Sequence, residues 1–250
     1  MKTAILKKIT NTLKLLFIFS TILFILNACS SLETDSDTPE GLFKIAQEFE
    51  KADRAQVAIQ KYNEVKNRFP YSSLATTAEL AVADLYYKIE SYAEAQVSYQ
   101  NFRDLHPKHA KIDYVVFQIA MSFYQQLPET VDRDLTLAND AIYHFNELIK
   151  SYPNSEHVAK AKEMREKSFE MLADKELYIA DFYFKREEYN SALIRYESSL
   201  KKYPDVTSEP RALLGAARSA GKLNESSKKE KYESELKTRF ANSKEAKEVL

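Results

Sequence analysis

The sequence predicts an all-α fold, a solenoid of about five helical hairpins and so roughly ten helices. Three observations carry this: a fourfold register of alanine, aromatic residue and proline, a scarcity of glycine, and one long stretch free of helix breakers. The 250 residues contain only 3 glycines and 7 prolines, against 16 tyrosines and 14 phenylalanines. So few glycines leave little room for the φ > 0 turns that a hairpin-rich β protein needs. A hydrophobic content of 44% is enough for a sizeable core.

The register starts from four prolines, Pro70, Pro107, Pro153 and Pro204. Twelve residues before them stand Ala58, Ala95, Ala141 and Ala192, and eight before stand Tyr62, Tyr99, Phe145 and Tyr196. Five before stand Val65, Phe102, Leu148 and Ser199. Upstream of three of these alanines lie Ala46, Ala83 and Ala180, followed by Phe49, Tyr86 and Tyr183. In the third unit the equivalents are Ala120 and Phe123, displaced by an insertion around Leu127-Pro128-Glu129-Thr130-Val131-Asp132. Small, aromatic, small, aromatic, then proline resembles the tetratricopeptide repeat. Alanine lets two helix backbones approach where they cross, the aromatic fills the space beside it, and proline ends the second helix. One such hairpin cannot bury its apolar face alone, so neighbours must stack.

Two irregularities are legible. Ser155 to Arg186 lacks proline and glycine and is rich in Lys, Glu, Ala and Met, which predicts one helix of roughly 30 residues linking repeats three and four. Leu172 to Lys175 is where it would break or bend. The fifth unit is weak: Ala217 and Ala220 fit its first helix, but Lys229 and Glu233 take the alanine and aromatic positions of the second. Tyr232, Leu236 and Phe240 still give it an apolar stripe, as expected of a polar-faced cap. At the other end, Thr38-Pro39-Glu40 predicts an N-cap, an N1 proline and a first-turn acid.

The first 28 residues are of another kind. Lys2, Lys7, Lys8 and Lys14 form a positive region, and Leu15 to Leu26 is an apolar run of signal-peptide length, too short to span a bilayer. Leu26-Asn27-Ala28-Cys29 follows, with the sole cysteine of the chain, and resembles a bacterial lipobox. That resemblance implies lipidation of Cys29, cleavage before it and acylation of the new N-terminus; the other possibility is an uncleaved anchor. Several acyl chains would hold the protein stably on a membrane. Ser30 after the cysteine implies, by the same resemblance, the outer membrane. The expected organisation is a signal peptide at 1–28, lipidated cysteine and flexible tether at 29–38, repeats one to three at 39–157, and the long helix with repeats four and five at 158–250. Removing residues 1–28 takes four of the 36 basic residues and none of the 37 acidic ones. The net charge then falls from −1 to near −5, which argues against a nucleic-acid partner.

No catalytic constellation stands out. His106 and His109 flank Pro107, and His144 and His157 are single; none belongs to a metal-ligand pattern. Gly41, Gly215 and Gly221 are isolated, so no glycine-rich loop can cradle phosphate. No enzyme, metal or cofactor is expected. A binding role is: the register puts Gln47, Asp84, Tyr87, Lys88, Phe117, Met121, Tyr124 and Gln125 on the inner face of the solenoid. Aromatics and methionine there suit an extended, partly apolar peptide. Equally, Phe117 and Tyr124 could pack against the neighbouring hairpin. Arg195, one residue before Tyr196, is expected at the edge of the buried stripe. Its guanidinium would be free for a partner or held by a local acid such as Glu188.

Lipobox, short tether, Tyr-Pro turns and a long helix after repeat three together resemble the BamD family, lipoproteins of outer-membrane β-barrel assembly. The most particular stretch is Tyr183-Phe184-Lys185-Arg186-Glu187-Glu188-Tyr189-Asn190-Ser191-Ala192-Leu193-Ile194-Arg195. Phe184 departs from the family's second tyrosine there. The resemblance implies an adaptor on the periplasmic face of the outer membrane of a Gram-negative bacterium. Its N-terminal repeats would receive signals of unfolded outer-membrane proteins. Its C-terminal repeats would dock the POTRA domains of a BamA-like barrel subunit through Lys185, Arg186 and Arg195, beside other assembly lipoproteins. The alternative is a periplasmic repeat scaffold of the Tol–Pal and cell-division type, which typically lacks a lipobox.

Overall fold

The structure, a computed structural model, describes residues 36–249. The signal segment and Cys29 lie outside the described residues. Among those described, eleven helices and no strand occur. They are α1 (Pro39–Lys51), α2 (Ala55–Arg68), α3 (Ser73–Lys88), α4 (Tyr92–Leu105), α5 (Ile112–Gln125) and α6 (Thr136–Ser151). There follow α7 (Val158–Lys185), α8 (Tyr189–Lys202), α9 (Glu209–Lys222), α10 (Ser226–Arg239) and the short α11 (Lys244–Lys247). The chain divides into two compact units, Met1–Leu85 and Tyr86–Leu250.

In the first unit the Thr38 hydroxyl accepts a hydrogen bond from the Gly41 amide at 3.0 Å, with Pro39 at the first helical position, as the sequence predicts. Leu42, Ile45 and Ala46 of α1 and Ala58, Ile59, Tyr62 and Val65 of α2 are buried, and α1 packs on α2. The Tyr62 hydroxyl donates to Glu50 at 2.7 Å, which satisfies the polar end of a buried ring. Arg68, at the end of α2, donates to the Ser36 carbonyl at 2.8 Å and to Asp37 at 3.1 Å.

In the second unit each helix from α4 to α10 packs on the next one in the chain, the pattern of a repeat solenoid. The register is realised in both units: none of the four alanines and four aromatics that precede the prolines is more than 3% exposed. Each proline follows a helix that ends on an aromatic residue or histidine. Those C-caps, Phe69, His106, Tyr152 and Tyr203, share φ between −128° and −130° and ψ between 54° and 66°. These angles lie outside the helical region, which a following proline ring disfavours, and they take the chain out of the helix.

Scarce glycine does not mean that left-handed backbone is avoided. Asp53, Glu90, Glu187 and Asn224 lie in turns between consecutive helices at φ between 56° and 63°. A non-glycine residue there is strained by about 1–2 kcal/mol. Replacing Glu187 by glycine should therefore stabilise the protein by about 0.5–1 kcal/mol, the relief less the extra unfolded-state entropy of glycine. Asn224→Gly should gain less, because asparagine tolerates this conformation. Paired thermal melts check both.

The long helix is continuous: α7 has 28 residues and runs through Leu172–Lys175 without a break. The insertion explains why it stays ordered so far beyond a hairpin. Leu127 and Val131 pack on a cluster of Leu135, Ala138, Ile142 and Leu172, and Lys175 donates to the Arg133 carbonyl. The inserted residues thus supply the apolar cover that the lengthened helix needs.

The fifth hairpin forms from α9 and α10, with Ala217, Ala220, Tyr232 and Leu236 buried. The sequence did not predict α11. Ser243 caps it by accepting from the Ala246 amide at 3.0 Å, and Ala246 is buried against the last core cluster. That tucks the C-terminal segment over α9.

Candidate docking surfaces

The inner-face candidates separate once placed. In the first unit Gln47 is exposed and Asp84 half-buried. In the second unit Met121 is buried at 8% exposure and belongs to the core rather than to a surface. Phe117 stacks on His157, with centroids 4.9 Å apart and planes 9° apart, and lies 6.4 Å from Phe145. Its ring is thus committed to packing between α5 and the start of α7. Tyr87 and Tyr124 are half-buried, and Lys88 and Gln125 exposed. Gln125 donates to the Tyr87 hydroxyl at 3.4 Å, and Tyr87 meets Tyr92 edge-on at 5.2 Å. Tyr92 was not singled out from the sequence, since it opens α4 at no repeat position.

At the C-terminal end Lys185 and Arg186 are exposed. The Arg186 guanidinium lies 5.5 Å from the Phe182 ring centroid and 3.4 Å from Glu188. Arg195 differs from the expectation of a free guanidinium or a Glu188 pair. It donates to Glu176 at 3.2 Å, and Lys202 meets the other oxygen of the same carboxylate at 3.0 Å. Glu176 is largely buried on α7, so two cations from α8 neutralise one acid that faces inward. The partner stands 19 residues away in sequence, beyond what a local pattern can identify. The repeat register does not mark Tyr178 and Phe182, which lie one turn apart on α7 and are 52% and 53% exposed. Two half-exposed aromatic rings on one helix face are a surface that contact with another protein would cover.

The buried tyrosine hydroxyls in this half are satisfied. The Tyr196 hydroxyl donates to Asp181, which Arg211 also binds, and the Tyr232 hydroxyl donates to Glu197 at 2.6 Å. Burial, reinforced by these hydrogen bonds to carboxylates, raises the pKa of both phenols. They remain neutral donors at any physiological pH. His106 and His109 pack on the Phe102 ring, at 4.8 and 5.1 Å. Among the described residues no group of three His, Cys, Asp or Glu could hold a metal ion, and no helix is long and apolar enough to cross a membrane.

Residues 35–236 match the family described as YfiO, outer membrane lipoprotein. Among curated proteins, the outer membrane protein assembly factor BamD of Neisseria meningitidis serogroup A is 30% identical over 198 residues, covering 72% of this chain and 74% of that protein. BamD of Vibrio cholerae is 27% identical, with coverages of 70% and 76%, and BamD of Pasteurella multocida 27%, with 76% and 77%. Among solved structures, the TPR2AB domain of yeast Sti1 aligns at 14% identity with a TM-score of 0.43, covering 83% of this chain and 80% of that one.

Proposed function

This chain belongs to the YfiO family of outer membrane lipoproteins, and from that premise we propose that it is a non-enzymatic adaptor in the assembly of outer-membrane β-barrel proteins. The observation that carries the proposal is the match itself, which runs from residue 35 to residue 236 and so includes the first four hairpins and reaches into the second helix of the fifth. The fold is consistent with it, since a helical-hairpin solenoid offers extended surfaces for polypeptide partners. In this proposal Cys29 carries the lipid that holds the chain to the periplasmic face of the outer membrane. Gln47, Asp84, Tyr87, Lys88, Tyr124 and Gln125 contribute to the reception of unfolded clients. Lys185, Arg186 and Arg195 face the POTRA domains of a barrel subunit, and Tyr178 and Phe182 add apolar area nearby.

Affinity purification of the tagged protein from membranes tests the proposal. Recovery of a POTRA-containing barrel supports it; recovery of Tol components in its place overturns it.

The geometry sharpens the expectation for Arg195. Its side chain is 42% exposed, and Lys202 still neutralises Glu176 when Arg195 is lost. Arg195→Ala should therefore cost less than about 1 kcal/mol of folding stability. Binding to purified POTRA domains should nevertheless weaken about tenfold or more, on the scale of a truncated interface arginine. A variant that melts normally and binds as tightly as the parent removes Arg195 from the interface.

A further inference from the structure

The end of the solenoid encloses a cleft that the chain's own C-terminal residues help to line. Phe184, Ala217 and Gly221 form an apolar floor, and Arg218, Lys222 and Lys229 stand around it; the volume is about 610 Å³. Glu248 and Val249 close one side. A second cleft of about 230 Å³ shares Phe184 and Arg218 and adds Lys185 and Arg211.

The charge of this region is opposite to that of the chain. Five cations line the two clefts, against the three acids Asp181, Glu233 and Glu248, in a chain of net charge −1. Lys222 has no acidic partner among the described residues; its ammonium lies 5.8 Å from the Tyr189 ring centroid. Arg218 is paired with Glu248, and both side chains are about half exposed. Such a pair contributes little to stability and exchanges readily with a competing carboxylate. The segment that delivers Glu248 is anchored one turn earlier, where Ala246 is buried and Ser243 caps α11. Val249 packs partly against the same core.

We propose that this cleft is a docking site for an extended acidic peptide segment of a partner protein, presenting a carboxylate followed by an aliphatic residue. Glu248-Val249 is the built-in occupant that such a segment displaces. The incoming carboxylate takes the place of Glu248 on Arg218, Lys222 adds a second charge contact, and the aliphatic side chain covers the Ala217–Gly221 floor. This goes beyond the adaptor function and needs none of the assembly partners.

The test uses the purified full chain and a fluorescein-labelled peptide, Glu-Ala-Lys-Glu-Val-Leu, read by fluorescence anisotropy. A tethered occupant competes at an effective concentration in the millimolar range, so Glu248→Ala should tighten peptide binding about tenfold over the parent. Adding Arg218→Ala to Glu248→Ala should abolish that gain. Lys222→Ala, which breaks no ion pair of the protein, should weaken binding several-fold in the same background. A control peptide with lysine in place of its second glutamate should not bind. Thermal melts establish that each variant is folded. The proposal is overturned if Glu248→Ala binds no more tightly than the parent, if the arginine and lysine variants bind like Glu248→Ala alone, or if no protein binds up to millimolar concentration. None of these outcomes bears on recovery of a barrel subunit from membranes.

Discussion

Gly215→Ala is expected to destabilise the protein by about 2–3 kcal/mol, although alanine is favoured over glycine in a helix by about 1 kcal/mol. Gly215 lies within α9, where propensity alone predicts a gain. A Cβ there would lie 2.8 Å from Tyr196 Cδ1, and closer still to Cε1 and Cζ. The ring is held in place: Tyr196 is 3% exposed, and its hydroxyl is held by Asp181, itself bound by Arg211. The new methyl therefore either separates α8 from α9 or breaks that hydrogen bond. Chemical denaturation of the single variants and of Gly215→Ala combined with Tyr196→Ala measures the effect. The double variant should lose clearly less than the sum of the singles, since removing the ring removes the clash. A neutral or stabilising Gly215→Ala would show that the two helices are not in this close contact.

The second large effect is expected at Ala192. It is fully buried on α8 in a cluster with Leu177 and Ala180 of α7 and Leu213 of α9, so its neighbours come from both sides. Ala192→Leu adds three carbons to a crossing that is already filled, and should cost about 1–3 kcal/mol. Lys201→Leu, on the exposed side of the same helix, should change stability by less than about 0.5 kcal/mol. Thermal melts of the two variants should differ clearly. Equal, mild shifts would mean that the alanine register does not mark helix crossings.

The parts of the fold that repeat were legible in the sequence. Four alanines and four aromatics at one spacing from proline located the second helices of four hairpins, and all eight residues are buried. The N-cap at Thr38, the long helix and the weak fifth hairpin were legible for the same reason: capping, helix breaking and amphipathic spacing act within a few turns of one chain segment. Met121 shows where this stops. Its place in the register suggested an inner surface, yet it is buried, because register gives the direction of a side chain and not the depth to which the neighbours cover it. Glu187 is another such case, since nothing in its composition marks a left-handed turn.

Taken by itself, the sequence determined the all-α class, the number and order of the hairpins, the length of α7 and the resemblance that led to the family. All of these follow from local periodicity, where each residue's preference is set by neighbours three or four positions away. Only the tertiary structure decided that Arg195 pairs with Glu176, that the insertion covers α7, that Tyr196 forbids a Cβ at Gly215, and that the C-terminal segment lies on α9. Each of these contacts joins residues on different helices. The distances and angles that bring them together arise only when the hairpins stack, and stacking is set by the close packing of whole helix faces.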